Sequence, residues 1–262
     1  MAGTAVRGRL SWQTVTVGPV TDETAKVRTL RLEVPDWPGH RAGQHVDIRL
    51  TADDGYRAER AYSIASAPGE PLAITVERLD DGEVSPYLTE EARTGDQLEV
   101  RGPIGGYFVW EPDSGAGSGS GSGSGSGAGS GEPLLLAAGG SGVVPLRAIV
   151  RERSRAGSSV PVRLLYSSRS LQDVIYRAEL DKATDGVSVI HALTRSQPPG
   201  WTGYARRVDA QMLAEVAWPV ADGPLAYVCG PTSFVEAVAA GLVGLGYPAG
   251  RVKTERFGAT GG

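Results

Sequence analysis

Apolar and polar residues alternate with a period of two through the N-terminal part of the chain, and each alternating stretch predicts a half-buried strand. Leu30, Leu32 and Val34 share one face of Val27–Val34, and Val46, Ile48 and Leu50 one face of His45–Leu50. A shorter strand is expected at Gln13–Val17, and another at Leu72–Arg78 with Leu72, Ile74 and Val76 aligned. Over Arg60–Ser66 the pattern turns Tyr62 and Ile64 inward against Ala61, Ser63 and Ala65. Turn chemistry separates these runs at Pro35–Gly39, Ala42–Gln44 and Asp53-Asp54-Gly55, the last expected to be a hairpin. Closely spaced strands with such punctuation predict an antiparallel six-stranded β-barrel. The period changes at Asp80–Leu88, where Ser85 is expected to cap a helix with Pro86 in its first position and Glu90 and Glu91 in its early turns. Leu98–Phe108, with its glycines, is expected to close the domain.

From Glu132 onward, unbroken apolar runs alternate with amphipathic stretches. Pro133–Ala138 reads as a strand buried on both faces, followed by Gly139-Gly140-Ser141-Gly142 and a helix over Val143–Arg153. Further strands are expected at Val162–Tyr166, Val187–Leu193, Leu225–Cys229 and Arg251–Phe257, with helices at Leu171–Leu180, Val208–Ala217 and Ser233–Leu245. Repeated βα units imply an α/β doubly wound parallel sheet that takes a ligand at the carboxyl ends of its strands. Residues 114–131 are nearly pure Gly and Ser, a composition that cannot bury a core and behaves as a flexible spacer. Natural expansion and engineered insertion read alike there. The expected division is a barrel domain over 1–112, a linker over 113–131 and an α/β domain over 132–262.

Composition narrows the class. The 262 residues are 40% hydrophobic with a formal net charge of -4, ordinary for a globular enzyme and unfavourable for nucleic-acid binding. No apolar run has the length of a membrane span, and residues 1–20 lack a secretory core, so a cytoplasmic monomer away from the membrane is expected. A single cysteine, Cys229, excludes an internal disulfide and a cysteine-ligated iron–sulfur cluster in this sequence.

Candidate chemistry concentrates at few places. Arg60 can grip a phosphate with its planar fork, although in an ordinary barrel strand it would simply pair with Asp or Glu. Tyr62 offers a flat face and Ser63 a small donor. A helix start at Ser85 can hold a pyrophosphate, or be a plain capped helix. Gly139–Gly142, between a buried strand and a helix, suits phosphate binding by backbone amides as well as close helix–strand packing, and does not match Gly-x-Gly-x-x-Gly. Arg169, after Ser168, and Arg195, after Thr194, follow parallel strands and would project at one edge. His40, His45 and His191 lack metal-ligand spacing, and no Ser-His-Asp arrangement has a nucleophile elbow.

Taken in order, these motifs resemble the ferredoxin–NADP reductase superfamily over nearly the whole chain outside the Gly/Ser tract. Arg60-x-Tyr62-Ser63-x-x-Ser66 resembles its flavin motif, and Gly82-x-Val84-Ser85 its pyrophosphate turn. Gly102–Phe108 is similar to its closing Gly-Pro-x-Gly-x-Phe segment, Gly139–Gly142 to its nicotinamide-domain loop, and Thr194-Arg195 to its 2′-phosphate site. Cys229-Gly230-Pro231 matches the motif whose cysteine lies by the nicotinamide ring in a positional role, and Glu255-Arg256-Phe257-Gly258 the terminal Glu-x-aromatic. The chain departs from the pattern in running on to Gly262.

The resemblance implies an FAD-containing reductase oxidising NADPH, favoured over NADH. Arg60, Tyr62, Ser63, Ser66, Gly82, Val84, Ser85 and Phe257 would hold FAD. Gly139, Gly140, Ser141, Gly142, Ser168, Arg169, Thr194, Arg195, Cys229, Gly230 and Pro231 would hold NAD(P)H. Ser63, Cys229 and Glu255 would flank the hydride path, with Glu255 assisting proton movement. The electron acceptor would be a separate ferredoxin, oxygenase component or other redox enzyme, and a ferredoxin would want a basic face such as Arg151, Arg153 and Arg155. The competing expectation is a non-catalytic flavin-binding subunit or redox sensor.

Overall fold

A computed structural model describes residues 10–52, 54–112, 131–182 and 186–257. Most of the Gly/Ser tract, Asp53 of the expected hairpin and Gly258 of the terminal motif lie outside the described residues.

Six strands build the N-terminal half: β1 (Gln13–Thr24), β2 (Val27–Glu33), β3 (His45–Thr51), β4 (Arg57–Ser63), β5 (Ala73–Glu77) and β6 (Gln97–Ile104). Their order is β4-β3-β6-β1-β2-β5, all pairs antiparallel. The end strands meet through an Ile64–Ile74 bridge and a 2.8 Å bond from the Ala65 amide to the Ala73 carbonyl, so the sheet closes into the expected barrel. Inside, Val15, Val17, Leu30, Leu32, Val46, Ile48, Ile74, Val76, Leu98 and Val100 form one cluster, the inward set of each alternating strand. β1 extends past the Val17 expected as its end, because a bulge between Val17 and Val20 absorbs Gly18-Pro19 and restores the pairing.

Ser85 does not cap a helix. Its hydroxyl accepts the Leu79 amide at 3.1 Å, and the following turn, Tyr87–Glu91, is a π-type turn with no side-chain cap. The hydroxyl is spent fastening the 79–85 loop.

The C-terminal half is a five-stranded parallel sheet in the order β11-β10-β7-β8-β9, comprising β7 (Leu134–Gly139), β8 (Val162–Ser168), β9 (Val187–Leu193), β10 (Leu225–Pro231) and β11 (Val252–Phe257). Strand order reverses between β7 and β10, the switch point where such sheets open a crevice. Every residue of β7 is buried, as its unbroken apolar run requires. Leu134, Leu136 and Ala138 face α1 (Val143–Arg155), whereas Leu135 and Ala137 face α3 (Ala210–Val216) and α4 (Thr232–Gly244). Asp209 caps α3, its Oδ1 accepting the Met212 amide at 2.8 Å. The helix expected over Leu171–Leu180 is broken into a 3-10 turn, Leu171–Asp173, and a short α2, Arg177–Leu180, because Tyr176 between them is left-handed with φ 58°.

One apolar cluster runs through both halves, joining Ala42, Ala65, Ala73, Phe108 and Trp110 to Leu134, Val143, Tyr166, Tyr176, Tyr227 and Cys229. Phe108 meets Tyr227 edge to face with centroids 5.2 Å apart, and the Tyr227 hydroxyl donates to the Val109 carbonyl at 2.8 Å. Arg151 crosses to Glu70 at 2.6 Å. That corrects the expected basic face. Arg151 is used between the halves, Arg153 is buried and donates to the Val160 carbonyl, and Arg155 pairs with Glu152.

Candidate functional site

The sheet half brings its chemistry together at the carboxyl ends of β7 and β10. Gly142 packs so closely on β10 that a Cβ there would stand 2.1 Å from the Cys229 carbonyl oxygen. Gly139 and Gly230 likewise leave room for Phe234, and Gly140 adopts φ +54° beside Glu77 of the barrel. Only glycine fits at 142, and the loop's backbone is thereby drawn against Cys229-Gly230-Pro231. Ser141 sits in the same 3-10 turn, Gly140–Gly142, leading into α1.

Cys229 is register partner to Glu255 on β11, and Pro231 to Phe257. Burial, and secondarily the Glu255 charge, push the Cys229 thiol well up, so at neutral pH it is a thiol and not a nucleophilic thiolate. Burial also raises Glu255 to about 7, and its Oε2 is buried with no hydrogen-bond partner among the described residues. A carboxyl group poised near neutrality can hold or yield a proton there. Phe257 packs on the edge of the shared apolar cluster.

On the barrel, Arg60 and Tyr62 lie on one face of β4 and Ser63 on the other. Arg60 is half exposed and pairs with Glu83 at 2.6 Å, and the Tyr56 hydroxyl donates to the same carboxylate at 2.5 Å. Those two partners hold Glu83 below the usual carboxylate range. Gly82, Glu83, Val84 and Ser85 form the turn facing Arg60, and a Cβ at Gly82 would stand 2.8 Å from the Ser85 hydroxyl. Val84 is fully buried in the barrel core. Tyr62 packs against that core, and burial pushes its phenol up. Ser66 stands apart from Arg60, its hydroxyl accepting the Ala73 amide at the barrel seam and its carbonyl bonded to His40. Glu83 escaped the sequence reasoning, although a charge inside the Gly82–Ser85 turn was visible there.

Ser168, Arg169, Thr194 and Arg195 meet where β8 and β9 end. The Thr194 amide donates to the Ser168 carbonyl and the Arg195 amide to the Arg169 carbonyl, each at 2.9 Å. Both guanidinium groups are exposed, and neither has an ion-pair partner among the described residues. No group of three His, Cys, Asp or Glu that could hold a metal occurs among the described residues, and no helix there is long and apolar enough to cross a membrane.

The two halves offer what a flavin and a nicotinamide dinucleotide need: a loop pressed on β10 at Gly142, two exposed arginines at one strand edge, and, beside Cys229, a carboxyl group whose Oε2 is buried without a partner among the described residues. Comparison with known proteins agrees with this geometry. A family model described as an oxidoreductase FAD-binding domain matches residues 15–109, and one described as an oxidoreductase NAD-binding domain matches residues 136–240. The chain is 34% identical over 244 residues to ferredoxin–NADP reductase B of Sorangium cellulosum, covering 88% of this chain and 91% of that protein. It is 28% identical to the glycine betaine monooxygenase reductase subunit of Pseudomonas aeruginosa over 92% of this chain, and spans 63% of that relative's length. The FAD/NAD-binding domain of a nitric oxide dioxygenase from Vibrio cholerae superposes with a TM-score of 0.78 at 25% identity, over 94% of this chain and 98% of that one. An FAD-binding barrel followed by an NAD-binding sheet, in this order and register, makes the chain a member of the ferredoxin–NADP reductase superfamily.

Proposed function

We propose that this chain is an NAD(P)H-dependent flavoprotein reductase that delivers electrons to a separate ferredoxin, oxygenase component or other redox enzyme. The observation that carries the reading is the Cys229–Glu255 pair at the sheet's switch point, walled by Gly142 and joined through α1 to the strand that ends in Ser63. Bound FAD would supply acceptance of a hydride from the nicotinamide and release of its electrons one at a time.

The protein's own part is geometry and charge. Arg60, now paired with Glu83, would hold the flavin pyrophosphate beside Gly82, Val84 and Ser85. Tyr62, Ser63 and Phe257 would hold the flavin ring system, and Ser66 acts by closing the barrel seam. Gly139, Gly140, Ser141 and Gly142 would cradle the nicotinamide nucleotide's phosphates, with Gly230 and Pro231 holding it beside Cys229. Ser168, Arg169, Thr194 and Arg195 receive the adenosine end. Two exposed guanidinium groups, without an ion-pair partner among the described residues, suit a 2′-phosphate, which favours NADPH over NADH. Glu255 holds a proton at its unsatisfied oxygen beside the hydride path.

Ferricyanide reduction tests the reading with a small one-electron acceptor. Protein reconstituted with FAD should couple NADPH oxidation to it, and flavin-free protein should not. A reconstituted protein inert to both NADPH and NADH would favour a flavin-binding subunit or sensor instead.

A further inference from the structure

Tyr176 is the one non-glycine among the described residues whose φ is left-handed, at 58° with ψ 26°. A bulky side chain rarely persists there unless its surroundings over-determine it. Those surroundings come from both halves of the molecule. The ring is 4% exposed, within the apolar cluster that the halves share. Its hydroxyl donates to Thr75 Oγ1 on β5 of the barrel. Thr75 is bonded in turn to Thr29 at 2.8 Å, and Thr29 donates to Glu23 Oε1 at 2.7 Å, so every hydroxyl hydrogen runs toward a carboxylate.

Over the same ring lies the Arg147 guanidinium, 4.2 Å from the centroid. Arg147 belongs to α1, and Glu179 of α2 grips it through both Nε and Nη2. Its remaining terminal nitrogen donates to the Ala65 carbonyl at 3.1 Å. Ala65 lies two residues beyond Ser63 and is itself fixed by the hydrogen bond that its N–H donates to the Ala73 carbonyl. Arg147 lies near the start of α1, which begins directly after Gly142, the residue pressed on Cys229. A short run of buried contacts therefore ties the Ser63 strand to the Cys229 loop.

We infer that Tyr176 and Arg147 are positioning residues that set the barrel's register on the nucleotide sheet, and with it the separation between Ser63 and Cys229. The inference rests on the reductase reading above. Neither side chain needs to touch a cofactor, and their effect falls on the step that crosses the cleft, which is steep in distance.

Three variants, Tyr176→Phe, Thr75→Val and Arg147→Met, test it with two readouts. The first is the distance distribution between spin labels on cysteines placed at exposed Ala52 of the barrel and Gly250 of the sheet, measured without nucleotide. Each variant should broaden it. The second is the rate constant of flavin reduction by NADPH, which should fall about tenfold while FAD and NADP⁺ dissociation constants stay within about twofold of the parent's. Tyr176→Phe combined with Thr75→Val should match Thr75→Val alone, because the Tyr176 hydroxyl has already lost its acceptor there. Unchanged distance widths and rates would overturn the inference, as would affinities that fall in step with the rate. A parent protein that neither nicotinamide nucleotide reduces would sink the reductase reading instead, and the distance widths would still decide the clamp.

Discussion

Cys229 and Glu255 sit side by side in register on the parallel strands β10 and β11, a buried thiol beside a half-buried carboxyl group whose Oε2 is shut off from solvent. Parallel pairing fixes both at the carboxyl edge of the sheet, so neither can leave the switch point without unzipping β11. Burial raises both the thiol and the acid.

The raised acid makes stability depend on pH. Glu255 moves from 4.5 to about 7, so the native state holds its proton more tightly than the unfolded chain does. Its contribution is complete below the unfolded value and is lost as pH rises through about 7, a swing on the order of 3 kcal/mol. In flavin-free protein, Glu255→Gln should match the parent in urea unfolding at pH 5 and exceed it at pH 8. Parallel pH profiles would show instead that the carboxylate is solvated.

Gly142 and Gly244 give opposite results on substitution by alanine. At Gly142 the new Cβ meets the Cys229 carbonyl, so Gly142→Ala should cost roughly 1–3 kcal/mol and weaken NADP⁺ binding. Nothing lies within 4 Å of a Cβ at Gly244, in the last turn of α4, and Gly244→Ala should stabilise by about 0.5–1 kcal/mol. Thermal unfolding of the two variants, with an NADP⁺ titration, checks both signs.

Arg195 is exposed at the β9 end and has no ion-pair partner among the described residues. Arg195→Ala should raise KM for NADPH about tenfold or more and leave KM for NADH within about twofold, since only the former carries a 2′-phosphate. Equal losses with both would move the 2′-phosphate away from this strand edge.

The contacts of Arg147, Arg151 and Tyr227 hold the halves together without using the Gly/Ser tract. Removing six residues from 116–127 should leave the melting temperature essentially unchanged and the reduction rate within about twofold of the parent's. A large loss of rate with FAD still bound would give the tract a part in positioning.

Much of this was legible locally. The period of two exposed the barrel strands, and the apolar run of β7 announced a strand covered on both faces. Gly139–Gly142 and Cys229 could be put at strand ends because strand–loop–helix order is a local property. Residue contacts remote in sequence were not legible. Ser85 looked like a cap, yet its hydroxyl is taken by Leu79. Nothing marks Tyr176 as left-handed, since tyrosine has no intrinsic leaning that way and the conformation is imposed from across the interface. Arg147 and Ala65, 82 residues apart, meet only once the barrel has docked. A hint was available in Arg147, Arg151 and Arg155, a cationic stripe spaced for one face of α1. It reads equally well as a solvated face, and the basic face expected from the sequence is the overlapping set Arg151, Arg153 and Arg155.

Anaerobic stopped-flow absorbance of the FAD-loaded protein, mixed separately with NADPH and NADH, tests the central claim most directly. The account predicts rapid bleaching of the flavin band, faster with NADPH. A flavin band that neither nucleotide bleaches would contradict hydride transfer across the Ser63–Cys229 cleft.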